Sequence, residues 1–461
     1  MNWEKLKNLL GNKTLCILGF GREGKATLDF LLQHFSGDIV VADMNPETKN
    51  YLSSYHSSHL LIQTGEHYLD EVNHCDLIIK TPGIPRSELR GKIDLRKITS
   101  QADLFLSIFS SQVTGVTGTK GKSTTSSLIH HIFSSAGKHS VLLGNIGTPA
   151  MSLFDKIRPE TSVVFELSSH QLEDVGHSPH ISLLLNIFEE HLDHYSSFEE
   201  YRQAKYNITR YQKSDDVLIY HSDNSHLQNS VINIKSKAIL MPYSMEYKQG
   251  MAAWWEKDII CIIDGNETRR IVPEGPLMLR GEHNRSNILA ACTACLLNKI
   301  PEKIIGHALP LFEPLPHRLE YVGHIDGKHF YNDSIATIPE ATIAAIHTLG
   351  KVDTLIVGGY NRGINYEHLI EFLAESEVFH LMLIGEVGKI IEEGLRSTRF
   401  NGEIRFYNDF EQLVEDAILI TPEGGTCLLS PAAASYDRFI NFEERGNLFK
   451  NIVLSYSRGM K

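Results

Sequence analysis

An α/β fold of about three domains, each built on a parallel sheet, is what this sequence predicts. Three observations carry the prediction: apolar runs alternate with helical stretches along the chain, glycine-rich turns follow two of those runs, and 461 residues exceed what one core holds. The apolar run Thr14 to Leu18 leads through glycines into a helical stretch to Phe35 and then into Ile39 to Asp43, one strand-helix-strand unit. A second unit restarts at Val113, and alternation continues to residue 300, with buried-strand candidates at Ser162 to Phe165 and Ile181 to Leu185. Leu309 to Arg318 carries Pro310, Pro314 and Pro316, which cannot continue a helix, and reads as a linker. Strands are expected beyond it at Leu355 to Val357 and Leu381 to Ile384, before a closing helix from Glu443 to Ser455. These breaks divide the chain into 1–96, 97–310 and 311–461.

Charge narrows the function classes. Lys plus Arg number 44 against 56 Asp plus Glu, a formal net charge of −12, which argues against a general nucleic-acid binder while leaving room for a local basic pocket. The opening MNWEKLKNLL lacks the apolar core of a signal peptide, and the longest apolar runs fall far short of a bilayer span, so a cytoplasmic protein without a membrane partner is expected. Six scattered cysteines do not suit a disulfide framework. Cys292 and Cys295 form a CxxC without a second pair, inside the apolar stretch Ile288 to Leu297, and read as core rather than as zinc ligands.

Two glycine loops carry most of the chemistry. In the first, Gly19-Phe20-Gly21-Arg22-Glu23-Gly24, glycines let the backbone approach a diphosphate at a helix N-terminus, and Asp43 at the end of the next strand can bond a ribose or a uracil. The same turn also serves tight strand-helix packing, and a nicotinamide coenzyme fits it as well as another nucleotide does. In the second, Gly118-Thr119-Lys120-Gly121-Lys122-Ser123-Thr124, backbone N–H groups can wrap phosphate oxygens, Lys122 can meet the β and γ phosphates, and the Ser123 hydroxyl can sit on Mg²⁺. The spacing departs from the usual loop because Val116 stands where its first glycine belongs, yet the signal points to ATP.

Acidic residues at strand ends complete the picture. Glu166 closes a buried strand, where side chains face a ligand crevice, and suits Mg²⁺ held directly or through water. Asn186 to His194 delivers further polar groups, of which Glu189 and Glu190 read as solvated and His191 as a candidate ligand. Lys205, in Tyr201-Arg202-Gln203-Ala204-Lys205, reads by itself as a surface lysine on a helix.

Several motifs in fixed order resemble the Mur ligase family over nearly the whole chain: GTKGKS at 118–123, Gly144-Asn145-Ile146-Gly147, ELSSHQLE at 166–173, NIFEEHLDHY at 186–195, YRQAK at 201–205, GEHNRSN at 281–287, LPHR at 315–318, NDSIAT at 332–337 and LLSPAAASYDRF at 428–439. The resemblance is nearest to the members that add glutamate. It implies a Rossmann-like N-terminal domain for a UDP moiety, a central ATPase domain and a C-terminal Rossmann-like α/β domain that brings the amino acid. It implies ATP and two Mg²⁺ ions as cofactors, with UDP-N-acetylmuramoyl-L-alanine and glutamate as substrates joined through an acyl phosphate, in a protein expected to be a monomer.

By the same resemblance, Gly19, Gly21, Gly24, Asp43 and Gly83 serve the UDP portion, and Asn145, Ser168 and Gln171 the muramoyl-alanine portion. Lys122 and Ser123 serve the triphosphate and its metal, Glu166 and His191 the metals, and Lys205 becomes carbamylated to hold the second ion. His283, Asn284, Asn287, Arg318 and Asp333 match positions about the nucleotide, while Thr337, Arg362, Ser435, Tyr436 and Phe442 match the glutamate pocket. Three positions depart from the pattern of the D-glutamate enzymes: Ile335 and Arg362 each stand where a lysine is common, and Lys120 where asparagine is. D-Glutamate is expected, with the same reaction on L-glutamate left open, and a nicotinamide oxidoreductase is the distant alternative.

Overall fold

Leu15–Leu18 (β1) is buried at every position, as a strand covered on both faces must be. The computed structural model describes residues 2–190, 194–228, 234 and 236–456, and in them β1 lies at the centre of a five-stranded parallel sheet. Its partners are Ile39–Asp43 (β2), Leu60–Thr64 (β3), Leu77–Lys80 (β4) and Ile98–Ser100 (β5), in the order β3-β2-β1-β4-β5. The order reverses at β1, so the loop leaving its carboxyl end sits at a topological switch point, where doubly wound sheets open a crevice.

The second sheet follows the same logic with more strands. Val113–Thr117 (β6), Ser140–Gly144 (β7), Ser162–Glu166 (β8), Ile181–Leu184 (β9), Val217–His221 (β10), Ile239–Ser244 (β11), Ala253–Glu256 (β12), Ile259–Asp264 (β13) and Glu267–Ile271 (β14) run in the order β14-β13-β12-β11-β10-β9-β6-β8-β7. Here β6 is the switch point, flanked by β8 and β9. In the third sheet Glu320–Ile325 (β15), Lys328–Asn332 (β16), Thr354–Gly359 (β17), His380–Ile384 (β18), Glu403–Tyr407 (β19) and Thr426–Leu429 (β20) take the order β15-β16-β20-β17-β18-β19. The closing helix is Phe442–Tyr456.

The expectation of purely parallel sheets needs correction at two places. β12 to β14 and the pair β15–β16 are antiparallel. Each hairpin closes through a two-residue turn in which at least one residue adopts positive φ: Lys257 (56°) in the first, Gly265 (63°) in the second, and both Asp326 and Gly327 (50° and 76°) in the third. The linker also begins later than expected, because Leu309–Leu311 is a 3₁₀ turn whose Leu309, with Phe312, is buried.

Two compact units result. Met1–Leu277 with His283–Phe312 hold the first two sheets, and Met278–Glu282 with Glu313–Lys461 hold the third. Within the first unit one apolar core runs from sheet to sheet: Leu15, Ile17, Leu28 and Phe30 join Phe105, Phe109, Phe154 and Phe165. Ring centroids of Phe30 and Phe154 lie 4.8 Å apart, and those of Phe105 and Phe165 5.7 Å in an edge-on contact. Each such pair contributes about 0.5–1.5 kcal/mol beyond area burial. Among the described residues no helix is long and apolar enough to cross a membrane, and all six cysteines are buried as free thiols.

Candidate active site

The loop after β1 is shaped by close approach. Gly19 adopts φ +93°, and a Cβ there meets Thr81 Oγ1 at 2.1 Å; a Cβ on Gly24 meets the Gly19 carbonyl oxygen at 2.1 Å. Gly21, at the N-cap of the helix Arg22–His34, faces open space, as does Gly83. Asp43 accepts hydrogen bonds from Phe20 N at 2.6 Å and from Asn45 N at 2.8 Å, fastening the glycine loop to the end of β2. Lys80, at the end of β4, is fully buried and held by Glu173 at 3.1 Å and Asp174 at 2.9 Å.

The loop after β6 gathers charge instead. Gly121, at φ +85°, sits so close to Asn287 that a Cβ meets its Oδ1 at 2.3 Å, which places the helix Glu282–Leu297 directly against the loop. Lys122 Nζ donates to Gly118 O at 2.8 Å and Thr119 O at 3.0 Å. Lys120 pairs with Glu190 at 2.7 Å. Thr119 turns inward, sharing a hydrogen bond with Tyr201 at 2.8 Å and accepting from Phe188 N at 2.9 Å. Ser123 is half-buried and Thr124 buried in the first turn of the helix Lys122–Ser135.

Lys205 rises into this loop from the helix Phe198–Arg210. It is 1% exposed, donates to Gly118 O at 2.8 Å and lies over the Tyr201 ring at 4.9 Å. Burial, reinforced by the Lys122 cation, holds its ammonium well below its ordinary pKa, which favours the neutral amine. Glu166 is also fully buried. Its Oε1 accepts from Asn145 Nδ2 at 2.7 Å, whereas Oε2 has no hydrogen-bond partner among the described residues. Ser168 and Gln171 close a reciprocal capping box over the short helix Ser169–Leu172. His283 is exposed, Asn284 half-buried, and Asn287 buried with its Nδ2 donating to Asn284 Oδ1 at 3.2 Å.

In the second unit the segments after β16, β20 and β17, three neighbouring strands, converge. Arg362 Nη2 donates to Thr337 O at 3.2 Å. Ser334 donates to Phe442 O at 2.8 Å, and Tyr360 N to Ala434 O at 2.9 Å. Ser435 is buried, Phe442 half-buried, and Tyr436 is 67% exposed. Asp333 accepts from Ser430 Oγ at 2.9 Å and Leu319 N at 3.1 Å, and burial pushes its carboxyl up to about 7 despite the opposing pull of Arg318. Arg318 itself stands between His317 (φ +63°) and Leu319 (φ +46°), two residues in a region costly for side chains.

A family model, the Mur ligase middle domain, matches residues 116–295. A UDP-N-acetylmuramoylalanine–D-glutamate ligase of Acetivibrio thermocellus is 34% identical over 461 aligned positions, covering 97% of this chain and 98% of its own, and that of Symbiobacterium thermophilum is 36% identical with 85% and 87% covered. The chain belongs to the UDP-N-acetylmuramoylalanine–D-glutamate ligase family. Among solved structures, MurF of Acinetobacter baumannii aligns with a TM-score of 0.62 at 13% identity, covering 98% of both chains, and MurF of Thermotoga maritima in complex with ADP with 0.59 at 16%, covering 96% and 95%. These two share the fold. Nothing among the relatives supports the nicotinamide oxidoreductase.

The family's motif residues fall into the clusters just described. Gly118 to Thr124, Asn145, Glu166, Ser168, Gln171 and Lys205 come together at the carboxyl ends of β6, β7 and β8, while Thr337, Arg362, Ser435 and Phe442 gather in the second unit. His191 lies outside the described residues. Two readings are corrected: Lys205 is no surface lysine, because the loop and Tyr201 cover it, and Glu190 is an ion-pair partner of Lys120 rather than a solvated acid. Arg445 escaped sequence reasoning. Its buried guanidinium donates to Ser334 O at 2.8 Å, Ala433 O at 3.1 Å and Ser334 Oγ at 3.0 Å, binding two of the converging segments, and burial lowers its pKa to about 10. The signal was its place three residues after Phe442, on the inner face of the last helix.

Proposed function

We propose that the protein joins D-glutamate to UDP-N-acetylmuramoyl-L-alanine, the ligation for which its relatives are named, at the expense of ATP, within the domains 1–96, 97–310 and 311–461. The single observation that carries the proposal is the set of lysines, acid and glycine loop gathered at the carboxyl end of β6. A carboxylate is a poor acyl donor. One of its oxygens therefore attacks the γ-phosphorus of ATP, ADP departs, and the resulting acyl phosphate is attacked by the glutamate amine, which expels phosphate and loses a proton.

In such a transfer, positioning and charge neutralisation supply most of the acceleration. Lys122 brings a point charge to the β and γ phosphates, and the backbone N–H groups of 118–123 orient them. Mg²⁺, when bound, spreads the charge developing on the transferred group. The residues present fit it: Glu166 offers a buried oxygen without another partner, and Ser123 a hydroxyl in the first turn of the loop's helix. Mg²⁺ keeps several waters and takes phosphate oxygens as ligands, so it asks for few protein groups.

Lys205, whose burial disfavours the ammonium form, suits addition to carbon dioxide, which releases a proton and leaves an anionic carbamate; that group and His191 complete the metal ligands in this reading. Asn145, Ser168 and Gln171 hold the muramoyl-alanine, and Gly19, Gly21, Gly24, Asp43 and Gly83 the UDP. His283, Asn284, Asn287, Arg318 and Asp333 hold ATP. Thr337, Arg362, Ser435, Tyr436 and Phe442 hold D-glutamate, with Arg362 presenting a planar fork to a carboxylate. The enzyme works in the cytoplasm as a monomer. Phosphate release that requires both UDP-N-acetylmuramoyl-L-alanine and D-glutamate, with a product heavier by one glutamyl residue, tests the proposal; release with neither present would contradict it.

A further inference from the structure

Arg22 and Glu23 are not explained by the packing of the first loop, nor by a diphosphate bound to it. Gly19 and Gly24 are fixed by close approach, and a carboxylate in the first turn of a helix opposes an anionic ligand there. Both side chains instead leave the loop. Arg22 Nη2 donates to Gly144 O at 2.9 Å and Asn145 O at 3.3 Å. Glu23 Oε1 accepts from Gln171 Nε2 at 2.6 Å, and burial raises its carboxyl above the ordinary range. The Glu23 carbonyl oxygen is held as well, by Gln101 Nε2 at 2.9 Å and Thr27 Oγ1 at 2.8 Å.

The groups they reach are those that surround Glu166. Gly144 lies at φ +108° so close to this strand end that a Cβ on it meets the Glu166 carbonyl oxygen at 2.2 Å. Asn145 contacts Glu166 twice, from N to the carbonyl oxygen at 3.0 Å and from Nδ2 to Oε1 at 2.7 Å. Gln171 is joined to Ser168, two residues after Glu166, by both bonds of the capping box. One hydrogen-bonded route therefore runs from Arg22 through Asn145 to the buried acid, and a second from the adjacent Glu23 through Gln171 to Ser168, two residues along the chain from that acid.

We propose that Arg22 and Glu23 are positioning residues that couple the first loop to Glu166. A nucleotide sugar seated on the loop fixes the start of its helix; Arg22 and Glu23 then hold the Gly144–Asn145 turn and Gln171, and Asn145 commits Glu166 Oε1, leaving Oε2 as the uncommitted oxygen. Phosphoryl transfer thus becomes sensitive to whether its acceptor is in place. The inference rests on the ligase reading above.

The test is steady-state phosphate release by the full-length enzyme, titrated in turn with Mg²⁺, ATP and UDP-N-acetylmuramoyl-L-alanine while the other components, D-glutamate included, are saturating, with thermal melts alongside. Arg22→Ala and Glu23→Ala should each lower kcat by about tenfold and raise the half-saturating Mg²⁺ concentration several-fold, the usual cost of losing a group that orients a metal ligand. The KM for ATP should stay within about twofold of wild type. Arg22→Lys, and Glu23→Gln, which keeps an acceptor oxygen for Gln171, should recover most of the loss. A change confined to the KM for the nucleotide sugar, or a lowered melting temperature with Mg²⁺ dependence unchanged, would overturn the coupling. An inactive wild type would overturn the ligase reading and the coupling with it, whereas an active wild type with such variants would overturn the coupling alone.

Discussion

The loops after β1 and β6 share a glycine-rich sequence and a switch-point position, but they differ in what makes the glycines necessary. After β1, Gly19 and Gly24 are required because strand, helix and Thr81 touch, and no cation but the outward-directed Arg22 belongs to the loop. After β6, Gly121 is required by Asn287, and Lys120, Lys122 and Lys205 surround the turn with Glu166 and Glu190 as counter-charges. A glycine motif therefore reports close approach. Which ligand approaches is set by the charges around it.

The strongest way to break that contrast is Lys122→Ala. Losing the point charge on the phosphates should reduce phosphate release by roughly a hundredfold or more, as losing one preorganised electrostatic group commonly does. The melting temperature should hold, because Lys122 is only half-buried. Near-normal turnover would move ATP away from this loop. Lys205→Ala should come next, leaving an enzyme of about one-hundredth activity that a short carboxylic acid partly restores by occupying the vacated anionic position. Full activity without the acid would return Lys205 to a packing role.

Arg362 extends the comparison to the second unit, where charge again decides. With Arg362 Nη2 already on the Thr337 carbonyl, Arg362→Lys loses the fork and should weaken glutamate use about tenfold, or about 1.4 kcal/mol, with the KM for ATP unchanged. Kinetics at varied D-glutamate will show it, and Ile335→Lys measured in the same way with both enantiomers will show whether the missing cation affects the choice of hand. The smallest effects should appear in the first loop, as stability. Gly24→Ala forces a methyl against the Gly19 carbonyl and should cost about 1–3 kcal/mol in denaturant melts. Gly21→Ala enters open space and should stay within about 0.5 kcal/mol. Equal costs at the two positions would erase the distinction between packing and ligand-facing glycines.

The sequence was most informative where one local rule decided the outcome. Ile39–Asp43 and Ile181–Leu184 were legible because strands covered on both faces are continuous apolar runs, and both switch-point loops because glycine follows such a run. The hairpins at Lys257 and Asp326 were missed although Asp326-Gly327 is a recognised two-residue turn; the surrounding parallel alternation outweighed it. At the site, the glycines and Glu166 were legible from strand ends. The burial of Lys205 was legible only in part: it stands at helical spacing from Phe198, Tyr201 and Ile208 on the apolar face of its helix, but a lysine there can also extend its ammonium to water, and only the packing against Gly118 and Tyr201 decides that it does not. Arg22 and Glu23 likewise pass for ordinary surface residues until their partners Asn145 and Gln171, more than a hundred positions away, are brought beside them.

In the proposed function the charged loop after β6 spends ATP on a carboxylate delivered by the loop after β1, and oxygen labelling tests that transfer most directly. UDP-N-acetylmuramoyl-L-alanine labelled with ¹⁸O in the alanyl carboxylate is turned over with ATP and D-glutamate, and the released phosphate is weighed by mass spectrometry. Transfer through an acyl phosphate predicts one ¹⁸O in each phosphate formed with product, because the carboxylate oxygen that attacked phosphorus leaves with it. Phosphate carrying no label while the peptide bond still forms would contradict the account.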